Sequence, residues 1–181
     1  MVRKWIYCLP TMMMALIFFS NPQGWAQSQS GSNVPVITHA FVVGKVSYGD
    51  ILRVYIEVED PNGDMFRIAT SIDQPGYGHY PTSWVYVKPM GRKHLKGYLQ
   101  WNTFSNMSSR LSEWTQITLT VSVFDKVGNE SNVFAFPITF ETGVKRASAY
   151  KLAPPFDQND LPRLGFIHID LIDPATKAPG N

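Results

Sequence analysis

Cysteine is nearly missing from this chain: its only one is Cys8, so from Gln27 onward no disulfide can form and stability must come from packing. Catalytic signatures are missing too. There is no Gly-x-Ser-x-Gly elbow, and no cysteine nucleophile follows Cys8. The histidines His39, His79, His94 and His168 stand singly, without the spacing of a zinc site. A pairing of His39 or His168 with Asp170 across strands is the one acid–base arrangement to weigh, and nothing in the pattern favours it. The chain therefore reads as a non-enzyme. Helical periodicity is absent after the first 26 residues, and so is any block of like charge.

The first residues are equally one-sided. Arg3 and Lys4 come early, and no acidic residue occurs before Asp50. An apolar stretch, densest from Met12 to Phe19, leads to Asn21, Pro22 and the small-residue spacing Gly24-Trp25-Ala26. That order of charged, apolar and small segments predicts a cleaved signal peptide over 1–26. A membrane anchor is the competing reading, but the apolar core is short of the ~20 residues a spanning helix needs, and Pro10 interrupts it. Export to the periplasm or the medium is expected, with no integral anchor after cleavage. Setting aside Arg3 and Lys4 leaves 14 basic against 14 acidic residues. A neutral surface gives nucleic acid no electrostatic reason to bind. Roughly 155 residues remain, enough for one domain with a substantial core.

What is present is two-residue alternation. After a polar lead-in over 27–33, Leu52, Val54, Ile56 and Val58 share one parity, as do Ile117, Leu119, Val121 and Val123. Such runs make strands with one face on a core and one in water. Weaker runs cover 34–43, 66–72, 84–87, 95–101 and 134–140. Pro137 on the polar parity of the last suggests a sheet edge. Asp-Pro-Asn-Gly-Asp over 60–64, Gln-Pro-Gly-Tyr-Gly over 74–78 and Asp125 through Asn132 supply turns. Seven short strands spaced this way predict an all-β, antiparallel sandwich of about seven strands over 34–143. Residues 144–181 read as a Pro-rich C-terminal extension carrying one extra strand at 165–171. That strand completes the sheet of its own chain or adds to the edge of another subunit.

The stretch from Asp50 to Asp64 resembles the second strand and following turn of immunoglobulin-like domains in bacterial exported proteins. The hairpin from Ile117 to Phe140, with Val-Phe-Asp-Lys-Val-Gly-Asn-Glu-Ser-Asn at its bend, resembles their last two strands. The resemblance covers about 34–142. The antibody pattern of paired cysteines around a tryptophan is absent, which places the chain nearer cadherin-like or fibronectin-like variants. It implies an adhesion, spacer or assembly module with a protein partner, and says little about chemistry, since this sandwich hosts many jobs.

Two ligand sites suggest themselves. Loops after the second and sixth strands share one end of such a sandwich, bringing Asp60, Asn62 and Asp64 near Asp125, Asn129 and Glu130. Oxygen ligands gathered this way can hold calcium weakly, which takes about six to eight of them. The same residue types simply build turns, and their spacing departs from dedicated calcium loops, so no cofactor is firmly implied. Tyr77, Tyr80 and Tyr86 form the second candidate. Rings on a sheet can stack on a sugar, the alternative function being a small carbohydrate-binding module, or they can be core and edge cover.

Overall fold

The structure, a computed structural model, describes residues 33–107, 111–144, 150–158 and 160–174. The expected signal peptide, all of the lead-in but Asn33, and the polar tail from 175 lie outside the described residues.

Among the described residues ten strands form in chain order: β1 (Val36–Phe41), β2 (Lys45–Val46), β3 (Ile51–Glu59), β4 (Met65–Gln74), β5 (Gly78–His79), β6 (Ser83–Tyr86), β7 (His94–Asn102), β8 (Gln116–Asp125), β9 (Phe134–Phe140) and β10 (Arg163–Ile167). One sheet runs β1-β3-β7-β10; the other runs β2-β9-β8-β4-β5, with β6 also on β4. Register explains the core. Leu52 opposes Trp101 and Val54 opposes Leu99 in the first sheet. Ile68 opposes Val123, and Ile72 opposes Leu119, in the second. These side chains and Val121 are buried between the two layers, as the alternation requires. The orders β1-β3-β7 and β9-β8-β4 are those of strands A-B-E and G-F-C of an immunoglobulin-like sandwich, with β6 lying beyond β4 as an extra C′ strand does. The chain is an all-β immunoglobulin-like sandwich.

Two details depart from the expectation. The sheets are mixed, because β10 lies parallel to β7 and β2 parallel to β9. The strand count also exceeds seven. Beyond the extra strand expected in the C-terminal extension, which is β10, the surplus is β2 and β5, of two residues each. A parallel neighbour cannot be reached by a hairpin, and β8, β9 and the segment after them intervene in the chain between β7 and its parallel partner β10.

The last strand is built into the domain. It begins at Arg163, not at 165, and its ladder ends at Ile167, while Ile169 and Leu171 continue inward as buried side chains. Trp101 Nε1 donates to the carbonyl of Ile169 at 3.0 Å. Close approach explains two glycines. A Cβ on Gly97 would lie 2.3 Å from the Pro162 carbonyl oxygen, and one on Gly165 would lie 2.3 Å from Val85 of β6. The backbone N–H of His168 donates to Ser83 Oγ at 3.0 Å, so β10 bridges the sheets at the edge that β6 would otherwise expose. At the opposite side the Asn132 amide accepts from Ile37 N–H at 2.8 Å and donates to its carbonyl at 3.0 Å, covering part of the β1 edge. Pro137 stands on β9, which β2 joins only opposite Thr139 and Phe140.

Candidate functional site

The loops after β3 and β8 do meet at one end. Lys126 N–H donates to the Asp64 carbonyl at 3.2 Å, and Met65 pairs with Asp125. Asp60, Asp64 and Asp125 therefore share a corner. Their roles differ. Asp125 accepts from the backbone N–H groups of Val127 and Asn129 at 3.0 and 2.8 Å and from Asn129 Nδ2 at 2.7 Å. Its carboxylate and the Asn129 amide, both candidate ligands from the sequence, serve the hydrogen bonding of the turn itself. Glu130 is exposed and sits in an isolated bridge with Phe124. Asp60 is 1% exposed, and its Oδ2 accepts from Asp64 N–H at 2.9 Å. Asp60 Oδ1 and Asp64 Oδ1 are buried without a hydrogen-bond partner. Burial, joined by the charges of Asp125 and Asp60, pushes the Asp64 carboxyl above its ordinary range. Among the described residues, no three Asp, Glu, His or Cys side chains stand ready-made at metal-binding spacing.

The three tyrosines do not make one surface. Tyr80 is only 3% exposed; its hydroxyl donates to Gln74 Oε1 at 2.5 Å and accepts from Ile172 N–H at 2.9 Å. Gln74 Nε2 in turn donates to the Ile172 carbonyl at 3.0 Å. Tyr80 thus pins the C-terminal segment, and no ligand reaches its ring face. Tyr77 stacks on it, with centroids 4.4 Å apart. Tyr86 stands toward the other end of β4, opposite Arg67, whereas the Tyr77 turn adjoins Gln74. The Gly- and Pro-rich loop folds onto the core because a tyrosine can bury its ring while satisfying its hydroxyl. Changing Tyr80 to Phe is expected to cost about 1–3 kcal/mol in urea denaturation, since Gln74 and Ile172 lose a buried partner.

Aromatic side chains gather elsewhere, on the two outer faces. On the six-stranded sheet the Arg67 guanidinium lies 4.0 Å from the Trp84 ring centroid and 5.6 Å from that of Phe124. Trp84 meets Phe124 edge-on at 5.5 Å, and Tyr86 meets Phe66 at 5.3 Å. Trp84 is 38% and Tyr86 63% exposed. The adjoining strands carry Ala69, Ser71, Thr120 and Ser122, with Ser71 Oγ and Thr120 Oγ1 2.6 Å apart, so the floor is flat. Arg67 was missed in sequence. Its signal was parity, since it opposes Phe124, which shares the outward parity of Thr118, Thr120 and Ser122. On the four-stranded sheet a cleft of about 340 Å³ is lined by Arg53, Tyr55, Tyr98, Tyr150 and Phe156, among others. Arg53 lies 4.6 Å over Tyr98, and Tyr55 packs on Phe156 at 5.7 Å.

The histidines find structural partners. His39 Nδ1 stands 3.1 Å and His94 Nε2 3.5 Å from the Glu57 carboxylate, which Lys96 also meets at 3.3 Å. Burial pushes the Glu57 carboxyl up, but Lys96 and the two histidines outweigh it and hold it below the ordinary range. His168 lies beside Phe166. Neither His39 nor His168 is joined to Asp170.

No protein-family model matches this chain, and no curated protein matches it. Among solved structures it is similar to the CARDB domain of the PF1109 protein of Pyrococcus furiosus, crystallised in complex with di-metal ions. Identity is 8%, the match covers 60% of this chain and 88% of that one, and the TM-score is 0.33. Strand order, not this slight likeness, fixes the fold.

Proposed function

We propose that this chain is an exported, non-catalytic immunoglobulin-like module that binds a protein partner through the outer face of its six-stranded sheet. One observation carries the reading: Arg67 layered on Trp84, with Tyr86 close by, on a flat and partly exposed face. Tryptophan, tyrosine and arginine are the residues that dominate binding energy at protein interfaces. Trp84 and Tyr86 offer large apolar area at little entropic cost, and the guanidinium adds directed donors. Small neighbours let a partner approach without a step. Export rests on the charged, apolar and small segments of 1–26.

A photoreactive residue in place of Tyr86, in cells that make and export the chain, tests this. A discrete cross-linked partner is expected, and Trp84→Ala should weaken it by about 2 kcal/mol, roughly thirtyfold in affinity. No adduct at Tyr86, or the same adducts from the exposed control Val36 on β1, overturns the reading. The second reading is a glycan module, now centred on the cleft at Tyr55, Tyr98 and Tyr150, where rings and Arg53 line a concave site. A glycan-array signal lost on Tyr98→Ala would shift the function there.

A further inference from the structure

In the turn from Asp60 to Asp64, oxygen-bearing side chains alternate: Asp60, Asn62, Asp64. Gly63, at a φ of +73°, reverses the chain so that Asp64 N–H comes back to Asp60 Oδ2 at 2.9 Å. The two carboxyl groups are thereby brought near each other, and Asp60 helps to push the Asp64 carboxyl up. Each keeps its Oδ1 buried and without a donor, although Asp60 as a whole is 1% exposed. Asp125 stands close and adds negative charge, but its own oxygens are occupied by three N–H donors. Among the described residues no lysine or arginine forms an ion pair with Asp60 or Asp64. Lys126 acts on Asp64 only at longer range, and Arg92, whose carbonyl accepts from Met65 N–H, leaves its own Nε buried and unpaired. Buried carboxylate oxygens left in this state are costly, and something must satisfy them.

We propose that Asp60 and Asp64 hold a hard divalent cation of the calcium class between their two Oδ1 atoms. The donor set suits it. Calcium accepts flexible, all-oxygen coordination, and Asn62 at the exposed tip, backbone carbonyls and water complete the shell. Magnesium demands stricter octahedral geometry and gains less from an adaptable turn. With only two carboxylates free, the site belongs to the weak class found in extracellular modules, with a dissociation constant of about 0.1–1 mM. The rival occupant is a proton shared by the two carboxyl groups. The aromatic face plays no part in this inference.

The experiment is a set of melting curves on the full chain purified from an exporting host, in EDTA, in 10 mM calcium chloride and in 10 mM magnesium chloride. Calcium is expected to raise Tm by about 3 °C or more, with magnesium giving less. Asp64→Asn should abolish the calcium shift while leaving the fold intact, because no hydrogen bond depends on that side chain's Oδ1. Equal melting in calcium and EDTA overturns the proposal. So does a calcium shift that persists in Asp64→Asn, which would put the ion elsewhere. A rise in Tm for Asp64→Asn in EDTA, with no calcium response in the parent, assigns the corner to a shared proton and overturns it as well.

Discussion

A chain ended at Gly143 is expected not to fold. The lost segment supplies Phe156, Ile167, Ile169 and Leu171, all buried. At about 1.5–3 kcal/mol for each fully buried apolar side chain, their removal takes away about 6–12 kcal/mol. That is comparable with the whole stability of a typical domain, about 5–15 kcal/mol. The damage does not end with area. Trp101 Nε1 and the Tyr80 hydroxyl lose Ile169 and Ile172 as partners, and β7 regains an open edge. Circular dichroism should show a disordered chain with no cooperative urea transition. A truncated form melting within a few degrees of the full chain would refute the claim that β10 belongs to this domain's core. The same experiment separates self-pairing from strand donation to another subunit, because a donated strand leaves its own domain folded without it.

Val121→Lys is the second change with a large expected effect. Val121 is fully buried on β8 between the two sheets, and no disulfide compensates for loss of packing there. A lysine would have to bury an unpaired ammonium or give up its proton. Pushing a lysine that far down costs about 4–7 kcal/mol, at 1.36 kcal/mol for each unit of pKa. We expect the cooperative unfolding transition to be lost at ambient temperature. Thr118→Lys, on the outward parity of the same strand, should change stability by no more than about 0.5 kcal/mol. The contrast matters more than either value. Similar melting of the two variants would mean that the sandwich does not bury the parity that holds Val121.

The reasons for what was legible are local. Where one face of a strand meets the core, as at Leu52, Val54, Ile56 and Val58, every second residue is apolar and the period shows through. The runs 34–43, 51–59, 66–72, 84–87, 95–101, 115–124 and 134–140 accordingly fall on β1, β3, β4, β6, β7, β8 and β9. Two-residue strands have no period to read, so β2 and β5 escaped. The parallel placement of β10 depends on contacts with β7 and β6, at Gly97 and Gly165, which are remote in sequence. Chemistry was harder to place than architecture. Tyr80 and Tyr86 look alike in sequence, yet one is buried through hydrogen bonds to Gln74 and Ile172 and the other stands in solvent. Asp125 and Asp64 are both turn aspartates. Only the three donors converging on Asp125 tell them apart.

The bond from Trp101 to Ile169 joins residues 68 positions apart and comes from the final stretch of the chain. Contacts of such sequence separation form late, because the intervening loop must close before they repay its entropy. While residues 163–171 are still being made, the hydrophobic layers have no lid along one side. The order of strands thus acts as a timer, delaying the compact state until β10 has docked against β7.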